Sequence, residues 1–373
     1  MKSYLLIGTI TAEQPLATCS KDLKDREGGD MKPIPVPSTM TRDGKRLMFP
    51  ATGIRGKIRR MARDVVRTAI IEKSGIEKPF NLDQHYLLTL GGIKSSGDSE
   101  RTTVAMDAAF RNANPLISLF GAGDAGDLGF VPGHLGVSNA ICQMPCEGEN
   151  APVVMSGART DDLYRDKAQV AFLSDADIIG LIGHADDNRA RSQLKNEQKG
   201  LEAKLRKLKK ADGDATLIQE TQVAIDAIET QLASLSQKEG NKDVSVGMPL
   251  AGYKAIPQGQ VMSHDFKLLK SNEIELGLLL KSLQLFSIEP VLGAHYATGC
   301  GMVSAQWTVF EVDLKTGRSQ VGTVTVKPFD SAEIEGQALT DAIAAFETFI
   351  ASDVANFSIP TKSVLEELIK AQG

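Results

Sequence analysis

The segment Phe49–Arg63, FPATGIRGKIRRMAR, constrains the fold most, because it combines an apolar stripe with a dense set of cations. Apolar residues recur through it and the residues that follow it at spacings of three and four, which predicts an amphipathic helix with one face buried. These residues are Ile54, Ile58, Met61, Val65 and Val66. The chain must therefore supply a core against which this helix packs.

The cations of the same segment predict an anion site. Arg55, Arg59 and Arg63 follow at i, i+4 and i+8 and share another face, and Lys57, Arg60 and Arg67 add charge around it. Thr52 is the expected N-cap, since its hydroxyl can accept a free N–H of the first turn. A helix N-terminus favours an anion, and arginine suits phosphate. The alternative is a solvated basic face.

A second segment, GAHYATGCGMV at Gly293–Val303, lies about 240 residues later and is a glycine-rich turn leading into a strand. Neither segment contains a pattern typical of a nucleophile or a metal site. We expect both to lie against phosphates, with the glycine turn as the other wall of one groove.

Composition limits the classes of function. The net charge of −5 argues against a protein that coats nucleic acid indiscriminately, and 5% aromatic residues disfavour a wide stacking platform. The five histidines and four cysteines show no zinc spacing, and no phosphate-loop or hydrolase motif occurs. The GAGDAG run at Gly121–Gly126 lacks the strand and helix of a dinucleotide site, which predicts a loop. We expect no cofactor and no metal.

Localisation is expected to be cytoplasmic. The amino-terminal residues alternate like a strand rather than forming a signal peptide, and no apolar run is long enough to span a membrane.

Strand and helix patterns mix without regular alternation, which favours an α+β fold with a largely antiparallel sheet. Expected strands are Tyr4–Ala12, His134–Gln143, Met302–Leu314 and Ser319–Pro328, the last two joined by KTGR. Expected helices are a short one at Val104–Asn112, a leucine-rich one at Glu273–Ser287 and a final one at Glu333–Ile350. Cys19–Arg46 is predicted to be an extended loop and Lys78–Gly97 to be irregular.

The run Arg189–Gly240 predicts an antiparallel helical hairpin that turns near Gly213 and is inserted into a domain. Its first arm, Arg189–Lys210, carries nine Lys and Arg against two Glu, whereas the second arm is acidic. Pairing of the basic arm with the acidic arm explains this pattern; a contact with nucleic acid or a partner is the alternative.

Four segments carry a resemblance to the RAMP superfamily of CRISPR proteins. TGIRGKIR resembles its S/T-x-(L/I)-R-G-x-(L/I)-R helix, and PLISLFGAGDAGDLG resembles its LFG element. The positions that match in the helix are Thr52, Ile54, Arg55, Gly56, Ile58 and Arg59. AIPQGQVM resembles the strand before its last helix, and GAHYATGCG resembles its glycine loop through Gly293, Gly299 and Gly301. The segments occur in the family's order within Thr39–Trp307.

The resemblance implies a modified RRM-like, or ferredoxin-like, antiparallel core with an inserted thumb. The expected divisions are 1–150 with the loop 19–46, an inserted region at 151–261 containing the hairpin 189–240, and 262–373. The acidic composition and the hairpin are most similar to the type IV version of the family's backbone subunit. Met155–Ser174 and Val246–Val261 would flank or form the thumb.

The implied function is that of a non-catalytic subunit of an antiviral effector complex. It would bind CRISPR guide RNA, stack head to tail with copies of itself as a helical filament, contact other subunits and present the guide for pairing with a target. The predicted RNA-binding residues are Thr52, Arg55, Gly56, Lys57, Arg59, Arg60, Arg63, Lys21, Lys24, Arg42, Arg159, Arg165, His295, Tyr296, Gly299 and Gly301.

Two alternatives remain at this stage. In the type III relatives a loop aspartate cleaves target RNA, and Asp30 is the nearest match, although a solvated charged loop also accounts for it. The other alternative is a coiled-coil interaction protein that binds no nucleic acid.

Overall fold

A computed structural model describes residues 2–18, 35–92, 103–155, 175–210, 215–237, 252–313 and 315–372. The chain divides into two compact units, one formed by residues 1–156 with 251–373 and the other by residues 157–250. The smaller unit lies within the inserted region expected at 151–261, whose outermost residues belong to the larger unit. Its assignment as a thumb stays a prediction.

The larger unit contains most of the regular structure. Its strands are β1 (Lys2–Ala12), β2 (Leu16–Ala17), β3 (Ser38–Thr41), β4 (Gly44–Phe49), β5 (Leu135–Val137), β6 (Ala140–Cys142), β7 (Val153–Met155), β8 (Tyr253–Ile256), β9 (Val261–Ser271), β10 (Val303–Asp313), β11 (Gly317–Val326) and β12 (Glu333–Glu335). Its helices, numbered with the two of the smaller unit, are α1 (Ala51–Ser74), α2 (Leu82–Leu90), α3 (Val104–Ala113), α4 (Pro115–Phe120), α7 (Glu273–Ile288), α8 (Gln337–Ala351) and α9 (Lys362–Gln372). The smaller unit contributes α5 (Asp175–Lys210) and α6 (Ala215–Gln237).

The main sheet is antiparallel and has the order β12-β11-β10-β1-β9-β6-β4-β3, with β5 also paired to β9. Its centre follows the chain order β1-α1-β6-β9-α7-β10 and the spatial order β10-β1-β9-β6. This is the arrangement of a ferredoxin-like β-α-β-β-α-β core. The α+β class with an antiparallel sheet is therefore confirmed.

One face of this sheet forms the core. On β1, Leu6 and Ile10 are buried, whereas Ile7 between them is 41% exposed, as strand alternation requires. The buried strand residues share one apolar cluster with Ile54 of α1 and Leu276 of α7. The two helices therefore pack on the same face of the sheet.

A second, three-stranded sheet has the order β2-β8-β7. Ala17, Tyr253, Ala255 and Cys300 form its small buried cluster. The glycine-rich segment that follows α7 reaches this sheet, because Ala294 N donates to Ala17 O at 3.0 Å.

Several elements differ from the expectations. The expected loop Cys19–Arg46 runs into the β3–β4 hairpin, which turns at Arg42-Asp43, and its residues 19–34 lie outside those described. The expected irregular stretch contains α2, which begins with a capping box between Asn81 and Gln84. Both signals were present in the sequence, as an Asp-Gly pair at the end of the turn and an N-x-x-Q spacing.

The strand expected at His134–Gln143 is two short strands, because Ser138 interrupts the pairing and accepts from Asp265 N through Oγ at 2.8 Å. The helix expected from Glu333 begins only at Gln337, after β12 and Gly336. The sequence did not predict α9. The GAGDAG segment is a close-packed loop, as expected: a Cβ on Gly121 would lie 2.6 Å from Gly133 N.

In the smaller unit, α5 and α6 pack against each other, with Ile225 and Ile228 buried. Gln198 Nε2 donates to Glu229 Oε1 at 3.1 Å across the pair. Among the side chains described here, no ion pair within 4 Å joins the two helices, so attraction between the basic arm and the acidic arm stays a prediction. No helix in the described ranges is both long enough and apolar enough to cross a bilayer.

Candidate functional site

The start of α1 differs from the expected cap. Pro50 precedes the helix, and Thr52 lies exposed in its first turn without capping it. Ala51 N instead donates to Asn139 Oδ1 at 2.8 Å, and Gly53 N donates to Pro50 O. These first-turn N–H groups are occupied, so they do not form the predicted anion site.

Arg59 faces the interior. It is 5% exposed, and its guanidinium donates to Leu88 O and Leu87 O at 2.8 Å and to Gly121 O at 2.9 Å. The first two acceptors belong to the last turn of α2, where Leu88 O has no partner within the helix and Leu87 O also accepts from Gly91 N. Arg59 is thus a cap for α2, and burial lowers its pKa to about 10, which leaves it charged at neutral pH.

Arg55 and Arg63 continue this stripe. Arg55 Nη2 donates to Phe120 O at the end of α4, and burial lowers its pKa. Arg63 donates to Asp64 Oδ1 at 2.7 Å and to Thr89 Oγ1 at 3.1 Å. The three arginines do share a face, as the spacing predicts.

This arginine stripe is covered rather than open. Its Arg59 and Arg55 hold the ends of α2 and α4, which joins the helix motif to the LFG segment. The prediction that Arg59 is an exposed phosphate contact is wrong, because all three guanidinium nitrogens are bonded to buried carbonyls. Gly56, on the same helix, has no backbone close enough to require glycine.

Two cations of α1 line a pocket. Lys57 and Arg60, together with Gly53, border a cavity of about 430 Å³ whose other wall is Glu289, Val291, Gly293 and Tyr296. Among the described residues neither cation has an ion-pair partner within 4 Å or a side-chain hydrogen bond. The two sequence segments therefore meet in space, as expected, through Lys57 and Arg60 rather than the arginine stripe.

Opposing effects act on the pKa of Lys57, and the net result is a lowered pKa. Burial is the largest effect and lowers its pKa, Glu289 opposes this by attraction, and Arg60 adds repulsion. An anion that entered beside Lys57 and Arg60 would relieve that repulsion.

The glycine turn is shaped by close approach to β2. Gly293 has φ +84°, and a Cβ there would lie 2.1 Å from Ala17 O. Gly301 has φ +99°, and a Cβ there would lie 2.7 Å from Leu292 O. Gly299 also has a positive φ, +78°, but has open space around it. Packing therefore requires a glycine at Gly293 and Gly301 but not at Gly299.

The two aromatic residues of the turn differ in exposure. His295 has φ 63° and stacks flat on Tyr253, with ring centroids 3.8 Å apart. Tyr296 is 67% exposed and borders the pocket. One ring face of His295 is covered by Tyr253, whereas the ring of Tyr296 is open. The predicted contact with RNA therefore suits Tyr296 better than His295.

The remaining predicted residues lie elsewhere. Arg42 is exposed at the tip of the β3–β4 hairpin. Lys21, Lys24, Asp30, Arg159 and Arg165 fall outside the described residues. The structure therefore brings together Lys57, Arg60 and Tyr296 and does not place those five.

Sequence reasoning missed two residues at this site. Asn139 supplies the cap of α1 from 88 positions away, which no local pattern indicates. Glu289 directly follows α7 and precedes Pro290. An acidic residue before a proline at the end of a helix was the available signal for it.

Comparison with known proteins gives similarity in structure but not in sequence family. No protein-family model and no curated protein matches the chain. Among solved structures, a chain described as "Type IV-B CRISPR Complex" is similar with a TM-score of 0.41 and 14% identity, over 86% of this chain and 93% of that chain.

Proposed function

We propose that this protein is a backbone subunit of a CRISPR effector complex, which binds guide RNA without cleaving it and stacks in several copies along it. The subunit holds the RNA backbone, while base pairing between guide and target reads the sequence. Its partners are the guide RNA, a paired target, further copies of the chain and other subunits of the complex.

The observation that supports this proposal most directly is the pocket between α1 and the glycine turn. Two sequence segments that resemble a single family's motifs, far apart in the chain, form its opposite walls. They bring Lys57 and Arg60, both without an ion-pair partner within 4 Å among the described residues, next to the exposed ring of Tyr296. Cations beside an accessible ring suit a nucleic-acid strand, which offers phosphates and flat bases.

The salt dependence of RNA binding tests the pocket. Each phosphate contact on a single strand contributes about 0.7 to the slope of log K against log salt, which is about fourfold in affinity at 0.15 M salt. Arg60→Gln should remove about 0.7 from that slope, and Lys57→Gln with Arg60→Gln about 1.4. The probe is a 30-nucleotide RNA of mixed sequence, titrated into the RNA-free full chain.

Arg67→Gln is the matched control. Arg67 is an exposed arginine of the same helix and does not border the pocket. Equal slopes for Arg60→Gln and Arg67→Gln would show that binding uses the helix charge in general, and would reject the pocket as the phosphate site.

Assembly along RNA has its own test. Light scattering of the chain with a 20- and a 40-nucleotide RNA should give about twice as many bound copies on the longer strand, since a head-to-tail interface does not close. A fixed copy number on both would contradict stacking.

The absence of cleavage is tested on the assembled complex with a labelled complementary RNA. The proposal expects the label to stay on the full-length strand. Cleavage that is lost in Asp30→Ala would establish the enzymatic alternative.

A further inference from the structure

Glu289 occupies an unfavourable position. It is the residue at the C-terminal end of α7, where the helix dipole disfavours a negative charge, and it is exposed beside the cations of the pocket. Among the described residues its carboxylate has no ion-pair partner within 4 Å and no hydrogen bond. Lys57 attracts this carboxylate without forming an ion pair within 4 Å, so the carboxylate oxygens stay available as acceptors. An exposed acid at a helix C-terminus with open acceptors points to a function outside the fold.

Glu289 cannot bind the phosphate itself, because an ionised carboxylate only accepts hydrogen bonds and repels an anion. It needs a donor from the ligand. In an RNA backbone, phosphates carry no donor, and the ribose 2′-hydroxyl is the donor next to each of them. DNA lacks this group.

The pocket has room for one nucleotide unit. Its cavity of about 430 Å³ lies in the range of small-ligand sites. Lys57 and Arg60 on α1 face Glu289 and Tyr296 from the opposite wall. A phosphate at the cations places the adjoining ribose between the walls, with the carboxylate as acceptor and the exposed ring as a surface for the base.

We propose that Glu289 accepts a hydrogen bond from a ribose 2′-hydroxyl of the strand held by Lys57 and Arg60, and so makes this pocket select RNA over DNA. The inference rests on the proposed function, since it requires a nucleic-acid strand in the pocket. A carboxylate that accepts from the sugar of a nucleotide is an established means of recognising ribose.

The test compares three probes of one sequence: RNA, DNA, and RNA in which every 2′-hydroxyl is replaced by fluorine, which keeps the RNA-like sugar without the donor. A hydrogen bond to a charged group predicts that the wild-type chain binds RNA about tenfold more tightly than the other two. Glu289→Ala should bring both ratios close to one, and Glu289→Gln, which keeps an acceptor oxygen, should give intermediate ratios.

Glu366→Ala is the control, because Glu366 is an exposed acid of α9 outside the pocket. It should leave the ratios at the wild-type value. Trp307 fluorescence reports that each variant is folded, since this buried residue lies in the same unit.

Two results would overturn the inference and differ in what else they reject. If Glu289→Ala binds RNA, DNA and fluoro-RNA with one common increase in affinity, Glu289 acts only by repelling phosphate, and the proposed function stands. If the wild-type chain binds none of the probes, the proposed function fails and the inference fails with it.

Discussion

Arg59→Lys separates a structural arginine from an RNA-binding one, because it keeps the positive charge and removes the planar fork. Arg59 donates to three buried carbonyls, those of Leu87, Leu88 and Gly121. A lysine ammonium lacks the planar fork that reaches the ends of both helices, so it can keep Leu88 O or Gly121 O but not both. Leu87 O keeps a donor in either case, because it also accepts from Gly91 N. One buried carbonyl is left without a donor, which costs about 1–3 kcal/mol in the free energy of unfolding.

The assay is urea unfolding followed by the fluorescence of Trp307, the one tryptophan of the chain, which is 2% exposed. With a slope of about 2–3 kcal/mol per molar urea, the midpoint should fall by about 0.5–1 M. Arg60→Lys is the matched control: its side chain is exposed and borders the pocket, and the change should stay within about 0.5 kcal/mol.

RNA affinity measured on folded protein should be unchanged in Arg59→Lys. A variant with a wild-type unfolding midpoint and weakened RNA binding would refute this reasoning, since it would mean that the guanidinium contacts RNA rather than the ends of the neighbouring helices.

The remaining predictions concern three further sites. Burial lowers the pKa of His264 from 6.5 to about 4, so the unfolded chain binds a proton that the folded chain does not, and stability should fall by about 2 kcal/mol from pH 7 to pH 5. Urea midpoints should show this fall and should lose it in His264→Gln; an equal fall in both would contradict it. Gly293→Ala should weaken RNA binding more than Gly299→Ala, because both strain a positive φ but only the first drives a Cβ to 2.1 Å from Ala17 O. Asn272→Ala removes the capping box of α7 and should lower the free energy of unfolding by about 1 kcal/mol, whereas an unchanged midpoint would mean that the cap contributes nothing.

Sequence patterns predicted the elements that have strong periodicity. The stripe through Ile54 and Ile58 predicted α1, and alternation predicted β1 and β10. Spacing also predicted correctly that Arg55, Arg59 and Arg63 share a face. It could not tell whether that face is covered, because the answer depends on carbonyls of α2 and α4 that lie 28 to 65 positions away.

The sequence predicted the two walls of the site but not which cations are exposed in it. Charge and glycine content pointed to the two walls of the pocket, but the same charge pattern contains both structural and free cations. Arg59 and Arg60 are adjacent in the sequence, and one is buried while the other is exposed. Helical periodicity gives the position of each around the helix, but it does not show which neighbouring elements cover that position.

The pairing of β7 with β8 determines how the long insertion joins the core. Met155 and Tyr253 are direct partners in this antiparallel pair, so the chain leaves and returns through neighbouring residues. Everything between them is topologically a single hairpin loop, and the register of both sheets does not depend on its length. A longer or shorter connection would therefore leave Met155 and Tyr253 as the same pair, and the pocket between α1 and the glycine turn is built from residues outside that connection.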